Sequence, residues 1–412
     1  MPDDLLHTLL QIVFILVAAK CFGMVARRAG QPQVVGEMLA GVLLGPSLLG
    51  HIAPGFFEFL FTSSSPLPLS VLSQIGLILF MFQIGMEFDF KHLKTRANRR
   101  IVSSISSAGI VLPAILGILF GWLSHQKFSP DVPLETYLLF MGISLCITAM
   151  PVLGRIMMDL NLTRTRLGTL TITSAAIDDV VGWILLALVT TLAKTGFVGA
   201  SFVLRFLCFI AFLFLTWKLV RPLLARLAFR TSKFDDISNL GLLTAILFLF
   251  GIGAEAVGSH AIFGGFWMGV LLHHENTFVT WWRQRISGFV TIFFLPLFFT
   301  YTGLRTNIPG LVSLELWSWC LLLVAFAVVG KFGGCWLAAK WAGLTSGESS
   351  CIAIMMNTRG MLELVVANIG YDLKIISQPV YTMLVFMALF STILTAPCLR
   401  RWLPGDHPRQ NA

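Results

Sequence analysis

Two acids stand side by side in an otherwise apolar stretch, Thr173-Ser-Ala-Ala-Ile-Asp178-Asp179-Val-Val-Gly-Trp183. Asp178 lies about nine residues inside an apolar run near 169–194, which in a helix is a depth of ~14 Å, close to the middle of a bilayer. An acidic side chain at that depth costs at least ~2.5 kcal/mol, faces the interior of a bundle and marks a path for ions or protons. Neighbouring helical positions point about 100° apart, so one carboxylate can line a site while the other binds an adjacent helix. The candidate neighbour is Lys331, in Ala327-Val-Val-Gly-Lys331-Phe-Gly-Gly334, which precedes Lys340 by nine residues and so reaches the same depth. The surrounding glycines let another helix approach closely. A purely structural ion pair is one reading. A bound cation accounts better for two acids against one lysine. A carboxyl group shielded from water holds a proton or a small cation but not both. In a site that faces one side at a time, that exclusion by itself yields exchange.

The elements that carry these residues must be membrane helices. Apolar residues make up 56% of the 412 and charged residues only 12%, against roughly 25% charged in soluble domains, and mean hydropathy is +0.84. Lipid is the solvent such a chain requires. The net charge of +9 does not indicate nucleic acid, because the basic residues fall in short clusters between apolar runs with no basic face carrying interleaved aromatics. The seven cysteines are scattered without CxxC pairs, as expected of buried thiols rather than of disulfides or a zinc site. The first apolar run follows Asp3 and Asp4 rather than a basic segment, which argues against a cleavable signal peptide.

Thirteen spans are expected, near 5–25, 33–50, 71–88, 101–123, 134–157, 169–194, 200–228, 237–257, 259–273, 280–303, 315–342, 350–370 and 377–400. The spans at 33–50 and 259–273 are short and glycine-rich, and the long gap at 51–70 has room for a re-entrant segment. Lys and Arg cluster in alternate gaps, from Arg27 and Arg28 to Arg400 and Arg401, while the opposite gaps hold only Lys127, Lys194, Arg305 and Lys374. That asymmetry puts the N-terminus outside and the C-terminus in the cytoplasm, and a bacterial cell (inner) membrane is the expected location.

Two spans carry interruptions. Thr148-Ala-Met-Pro151 falls in the middle of one, where proline removes a backbone donor, and Thr148 offers a hydroxyl ligand. Asn357-Thr-Arg-Gly360 interrupts another. Carbonyls freed at such breaks can serve as cation ligands or compensate charge. Arg359 and Glu363, spaced i,i+4, are expected to neutralise one another.

The two halves also echo each other. Gly36-Glu-Met-Leu-Ala-Gly-Val-Leu-Leu44 matches Gly264-Gly-Phe-Trp-Met-Gly-Val-Leu-Leu272. Leu79-Phe-Met-Phe-Gln-Ile-Gly-Met-Glu87 matches Leu297-Phe-Phe-Thr-Tyr-Thr-Gly-Leu-Arg305. Cys146-Ile-Thr-Ala-Met-Pro-Val-Leu-Gly154 matches Cys351-Ile-Ala-Ile-Met-Met-Asn-Thr-Arg359-Gly360. Each pair lies seven spans apart, so the copies run in opposite directions. The expectation is one membrane domain over 1–412, with repeat 1 near 31–194, linker helices near 200–257, repeat 2 near 259–403 and no cytoplasmic regulatory domain. Inverted repeats place substrate sites near the midplane.

The segments Gly36-Glu37 through Leu44-Gly-Pro-Ser-Leu-Leu-Gly50, Gly85-Met-Glu-Phe-Asp89, Ala176-Ile-Asp178-Asp179, Gly330-Lys331 and Asn357-Thr-Arg-Gly-Met-Leu-Glu363 together resemble the monovalent cation:proton antiporter superfamily. That family includes NhaA-type sodium/proton antiporters and plant cation/proton exchangers. The resemblance spans roughly residues 8–402. It implies an all-α NhaA-like fold with two discontinuous helices, a homodimer, and elevator-type alternating access. It further implies that Asp179 carries the cation (Na+ or K+) and the proton, that Asp178 pairs with Lys331, and that exchange is electrogenic. Asp178 and Asp179 are then the metal-binding set. Thr148 is a further ion ligand, and Pro151, Asn357, Arg359 and Glu363 shape the breaks and compensate charge. No cofactor is expected beyond the transported ions, and the chain is expected to be a transporter, not an enzyme. A cation channel would need a repeated filter or charged ring, and an intramembrane aspartyl protease would need acids converging from different helices; neither pattern is visible. A cation channel or a proton-coupled solute carrier on the same fold remains the alternative.

Overall fold

The computed structural model describes residues 2–62, 67–86, 96–148, 150–160, 162, 165–195, 199–234, 237–257 and 259–403. In chain order the helices are α1 Pro2–Arg28, α2 Gln33–Leu44, α3 Leu49–Ile52, α4 Pro54–Phe57, α5 Leu67–Met86, α6 Arg96–Phe128, α7 Leu134–Cys146, α8 Met150–Asp159, α9 Arg166–Thr195, α10 Gly199–Leu215 and α11 Arg221–Phe234. They continue as α12 Ile237–Ala256, α13 Ala261–Leu272, α14 Asn276–Arg285, α15 Ser287–Phe289, α16 Leu295–Leu304, α17 Leu314–Val328, α18 Gly334–Trp341, α19 Ser346–Met356, α20 Met361–Asp372 and α21 Gln378–Trp402. Among the described residues there are four π-helical turns, including Val329–Gly333 between α17 and α18.

Among the described residues, ten helices are long and apolar enough to cross a membrane. The other three expected spans fall on shorter pieces that do not reach that length: α7 followed by α8, α13 alone, and α19 followed by α20. The 51–70 gap holds α3, α4 and a π turn ending at Thr62, with Gln11 Nε2 donating to Leu60 O at 2.6 Å; residues 63–66 lie outside the described set.

Local signals explain several helix starts. Thr345 and Glu348 form a capping box on α19, and the Ser313 hydroxyl caps α17, each satisfying donors left free at a helix N-terminus. Gly343, at φ +91, ends α18 in the left-handed conformation that glycine adopts without penalty.

The chain divides into two compact units, each drawn from both halves of the sequence. The first comprises Met1–Ala19, Gly41–Asp89 and Trp183–Leu304. In it α5 and α13 pack backbone to backbone: a Cβ on Gly85 would strike Phe266 O, and one on Gly269 would strike Phe82 O. The end of α2 and α16 meet the same way at Gly41 and Gly303. Small residues give such helices close van der Waals contact where lipid offers no hydrophobic drive to associate. α10, the π turn Thr216–Val220 and α11 expose Leu207, Phe214, Trp217 and Leu223, a surface suited to lipid rather than to water.

The second unit comprises Lys20–Ala40, Phe90–Gly182 and Arg305–Ala412, and it holds the acids and their lysine. Its axis is α6, 33 residues long. A Cβ on Gly334 would sit 2.7 Å from Ala108 O, and one on Gly330 would sit 2.9 Å from Pro113 Cα. The glycines flanking Lys331 thus bring its segment onto α6. Four of the seven cysteines are buried, and none is in a disulfide; Cys21 and Cys208 are exposed and Cys398 is half-buried.

Candidate ion-exchange site

The site grows from two broken helices in the second unit. The first break falls between α7 and α8, at Ile147 and Thr148, with Ala149 outside the described residues. Pro151 does not itself interrupt a helix. It is the second residue of α8, in the first turn, where a missing N–H has no helical partner to lose. The second break is Asn357–Gly360, between α19 and α20. Asn357 closes α19 with its backbone N–H on Ala353 O at 3.0 Å, and its side chain is fully buried.

A helix leaves its last four carbonyls without intrahelical donors, and α7 ends in mid-unit. Its freed carbonyls, expected as cation ligands, go to basic side chains instead. Arg359 Nη1 donates to Ser144 O at 3.0 Å and Nη2 to Leu145 O. Lys331 Nζ donates to Cys146 O at 2.6 Å. Two cations therefore cover the negative end of the half-helix dipole.

Lys331 is held on α6 for a reason written in the sequence. Pro113 lies inside α6 and lacks an N–H, so the carbonyl four residues earlier, Gly109, loses its helical donor. Lys331 Nζ fills that vacancy at 2.8 Å. Gly109 also leaves room: a Cβ there would lie 2.8 Å from Cys335 Sγ and 3.5 Å from Asp178 Oδ2. The third ammonium proton goes to Asp178 Oδ2 at 2.7 Å, which uses all three donors of the lysine. Both members of that ion pair have side chains with no exposure.

Asp178 is satisfied on its side as well. It accepts from Lys331, from the Ser106 hydroxyl, and from Thr148 Oγ1 at 3.2 Å. Thr148 also approaches Met356 O at 3.5 Å, which ties the first break to the end of α19. Asp179 follows on the next position of α9 and is 2% exposed. Arg359 pairs with Glu363 at 3.0 Å, both buried. Arg359 lies in the break rather than on α20, so the pair is not a helical i,i+4 contact. Thr392 donates to the Arg359 carbonyl, and Thr358 Oγ1 donates to Thr395 Oγ1 at 3.2 Å, joining the second break to α21.

The structure thus brings Asp178, Thr148 and Lys331 into one network and joins Arg359 to Glu363. Ser106, Gly109 and Pro113, also in this network, escaped the sequence reading. A hydroxyl or a glycine in an apolar span carries no charge signal, whereas Pro113 inside a span is a visible mark of a freed carbonyl. Glu87 and Asp89, in one of the motifs, lie outside the described residues. Among the described residues, no cluster of three or more His, Cys, Asp or Glu side chains could hold a resident metal.

The sequence matches the family described as sodium/hydrogen exchanger, transmembrane, over residues 13–403. It is 35% identical to the Na(+)/H(+) antiporter NhaS4 of Synechocystis, across 98% of both chains. It is 33% identical to cation/H(+) antiporter 17 of Arabidopsis thaliana over 96% of this chain, and spans about half (48%) of that longer relative. In fold it is similar to the sodium proton antiporter MjNhaP1 of Methanocaldococcus jannaschii, with a TM-score of 0.67, 16% identity, and coverage of 97% of this chain and 98% of that one. A family match over nearly the whole chain, together with a full-length relative at that identity, makes this protein a member of the sodium/hydrogen exchanger transmembrane family.

Proposed function

We propose that the chain exchanges a monovalent cation, Na+ or K+, for protons, with Asp179 binding the exchanged ions and the Asp178–Lys331 pair acting as a charge switch. One observation carries the reading. Among the described residues of the second unit that are at most 2% exposed, three are carboxylic acids (Asp178, Asp179, Glu363) and two are bases (Lys331, Arg359). A carboxyl group buried that deeply needs a compensating charge, and a proton or a metal ion can supply one. Those two charges are what an antiporter trades. The name of the full-length relative, a Na(+)/H(+) antiporter, supports the same reading.

Electrogenic exchange follows if Lys331 lets go of Asp178 when a cation binds, so that more protons than cations cross per cycle. The described site residues all lie in the second unit, which supports an elevator-type step in which that unit carries the ion.

The inverted repeats gain support from glycine contacts. A Cβ on Gly36 would meet Phe22 O and Gly23 Cα, and one on Gly264 would meet Phe250 O and Gly251 Cα, so matched positions meet matched partners. Gly41 meets Gly303 just as its repeat mate Gly269 meets Gly85, the mate of Gly303. Thirteen spans follow if the two broken helices and α13 each cross the membrane.

A cytoplasmic C-terminus rests on the Lys and Arg asymmetry; a C-terminal fluorescent fusion that stays dark on the inner side would refute it. A homodimer rests on family likeness alone and is checked by cross-linking in native membranes, where a monomer would count against it.

The function itself is tested in proteoliposomes that report internal pH. Addition of Na+ or K+ should release protons in a saturable manner, at a rate set by the pH difference. Cation flux that ignores the proton gradient would point to a channel and defeat the proposal.

A further inference from the structure

The turn between α1 and α2 walls a cavity of about 440 Å3 that shares no lining residue with the acid–lysine site. Arg27 from the last turn of α1 and Arg400 from the last turn of α21 both line it, with Gln31, Gln33, the apolar Ile156 of α8 and Leu160 just after that helix. The turn is built to hold them. Gly30 takes φ +72, its N–H donates to Arg27 O at 3.0 Å, and Gln31 N donates to Ala26 O at 2.8 Å. Gln31 Nε2 then donates to Ile393 O at 3.1 Å, pinning the turn to α21. The Arg400 guanidinium lies over Gly30, where a Cβ would stand 2.5 Å from Nη1. A side chain at position 30 would displace it.

Among the described residues no carboxylate pairs with Arg27 or Arg400. An arginine in the last turn of a helix gains from the helix dipole, and that gain explains each residue taken alone. It does not explain why two guanidinium groups share one polar cavity, where an anion would relieve their repulsion. Guanidinium is the side chain whose fork matches phosphate oxygens two at a time. The volume falls within the range of small-ligand pockets and exceeds what a bare phosphate fills.

We propose that this cavity binds a phosphate-bearing anion, held by Arg27 and Arg400, whether the phosphate belongs to an acidic phospholipid headgroup or to a soluble phosphate compound. The bound anion links the α1–α2 turn, α8 and α21. Since α8 follows the first helix break and α21 bonds the second through Thr392 and Thr395, occupancy stiffens the unit that holds the exchange site.

The test is thermal unfolding of the full chain in lipid-free neutral detergent, at fixed ionic strength, with three additions: pyrophosphate, phosphatidylglycerol, or phosphatidylcholine. Pyrophosphate or phosphatidylglycerol should raise Tm by a few degrees, and phosphatidylcholine should not. Arg27→Gln/Arg400→Gln should need about tenfold more probe or lose the shift, while Arg226→Gln/Arg230→Gln keeps it. The single variants carry the comparison if the double variant does not fold. A response to pyrophosphate assigns a soluble ligand; a response to phosphatidylglycerol alone assigns a lipid. No shift in the parent protein with either probe, or an equal shift in the Arg27/Arg400 variants, overturns the proposal.

Discussion

Lys331 and Arg359 both reach the free carbonyl end of α7, Lys331 at Cys146 and Arg359 at Ser144 and Leu145, yet their acidic partners come from different places. Arg359 pairs with Glu363, four residues on in the same chain segment. Lys331 pairs with Asp178, 153 residues away on another helix, next to the second acid. A guanidinium keeps its charge at every pH a cell meets, whereas an amine can give up its proton. The Arg359 pair is thus a permanent fixture that fastens one break to the other. The Lys331 pair joins separate helices through a single ammonium group. On the function proposed above, fold and transport fall to two ion pairs of similar burial and different chemistry.

The comparison breaks most easily at its structural end. Arg359→Ala leaves Glu363 and two α7 carbonyls buried without their donor, a loss of about 3–5 kcal/mol. Tm should fall steeply or folded protein should not accumulate. A variant as stable as the parent would remove the distinction. Lys331→Ala should lose less, because Asp178 keeps its bonds from Ser106 and Thr148 and a proton or cation can take the place of the ammonium. Its transport should lose the electrogenic signal on solid-supported membranes, and an unchanged current would count against the charge switch. Pro113→Ala is the smallest change. It returns an N–H to Gly109 O, which then competes with Lys331 for about 1 kcal/mol of hydrogen bonding. Stability should hold or rise while the exchange rate falls. A slower exchange with lower stability would mean that the proline serves packing instead.

Much of this was legible because charge in an apolar span is rare and expensive. Asp178 and Lys331 stand at matched depths in the sequence, and the structure places them 2.7 Å apart. The two breaks were marked by Pro151 and by Asn357–Gly360, although the first lies just ahead of the proline. The position of Arg359 was less legible. Its spacing to Glu363 suggests a helical pair, but the residue sits in the break and its guanidinium forks onto α7, a contact set by tertiary packing. The π turn at Val329–Gly333, which carries Lys331, also leaves no periodic trace. Three expected spans fall below the length of a crossing helix because two are broken and α13 is only 12 residues long, and hydropathy sums over such breaks without seeing them.

On the proposed function, a proton and a metal ion take turns on Asp179. Asp179→Asn removes the carboxylate while keeping its shape. In proteoliposomes with an imposed pH difference, the variant should elute as folded protein and show no Na+- or K+-driven proton release. Exchange at the parent rate in that variant would contradict the account.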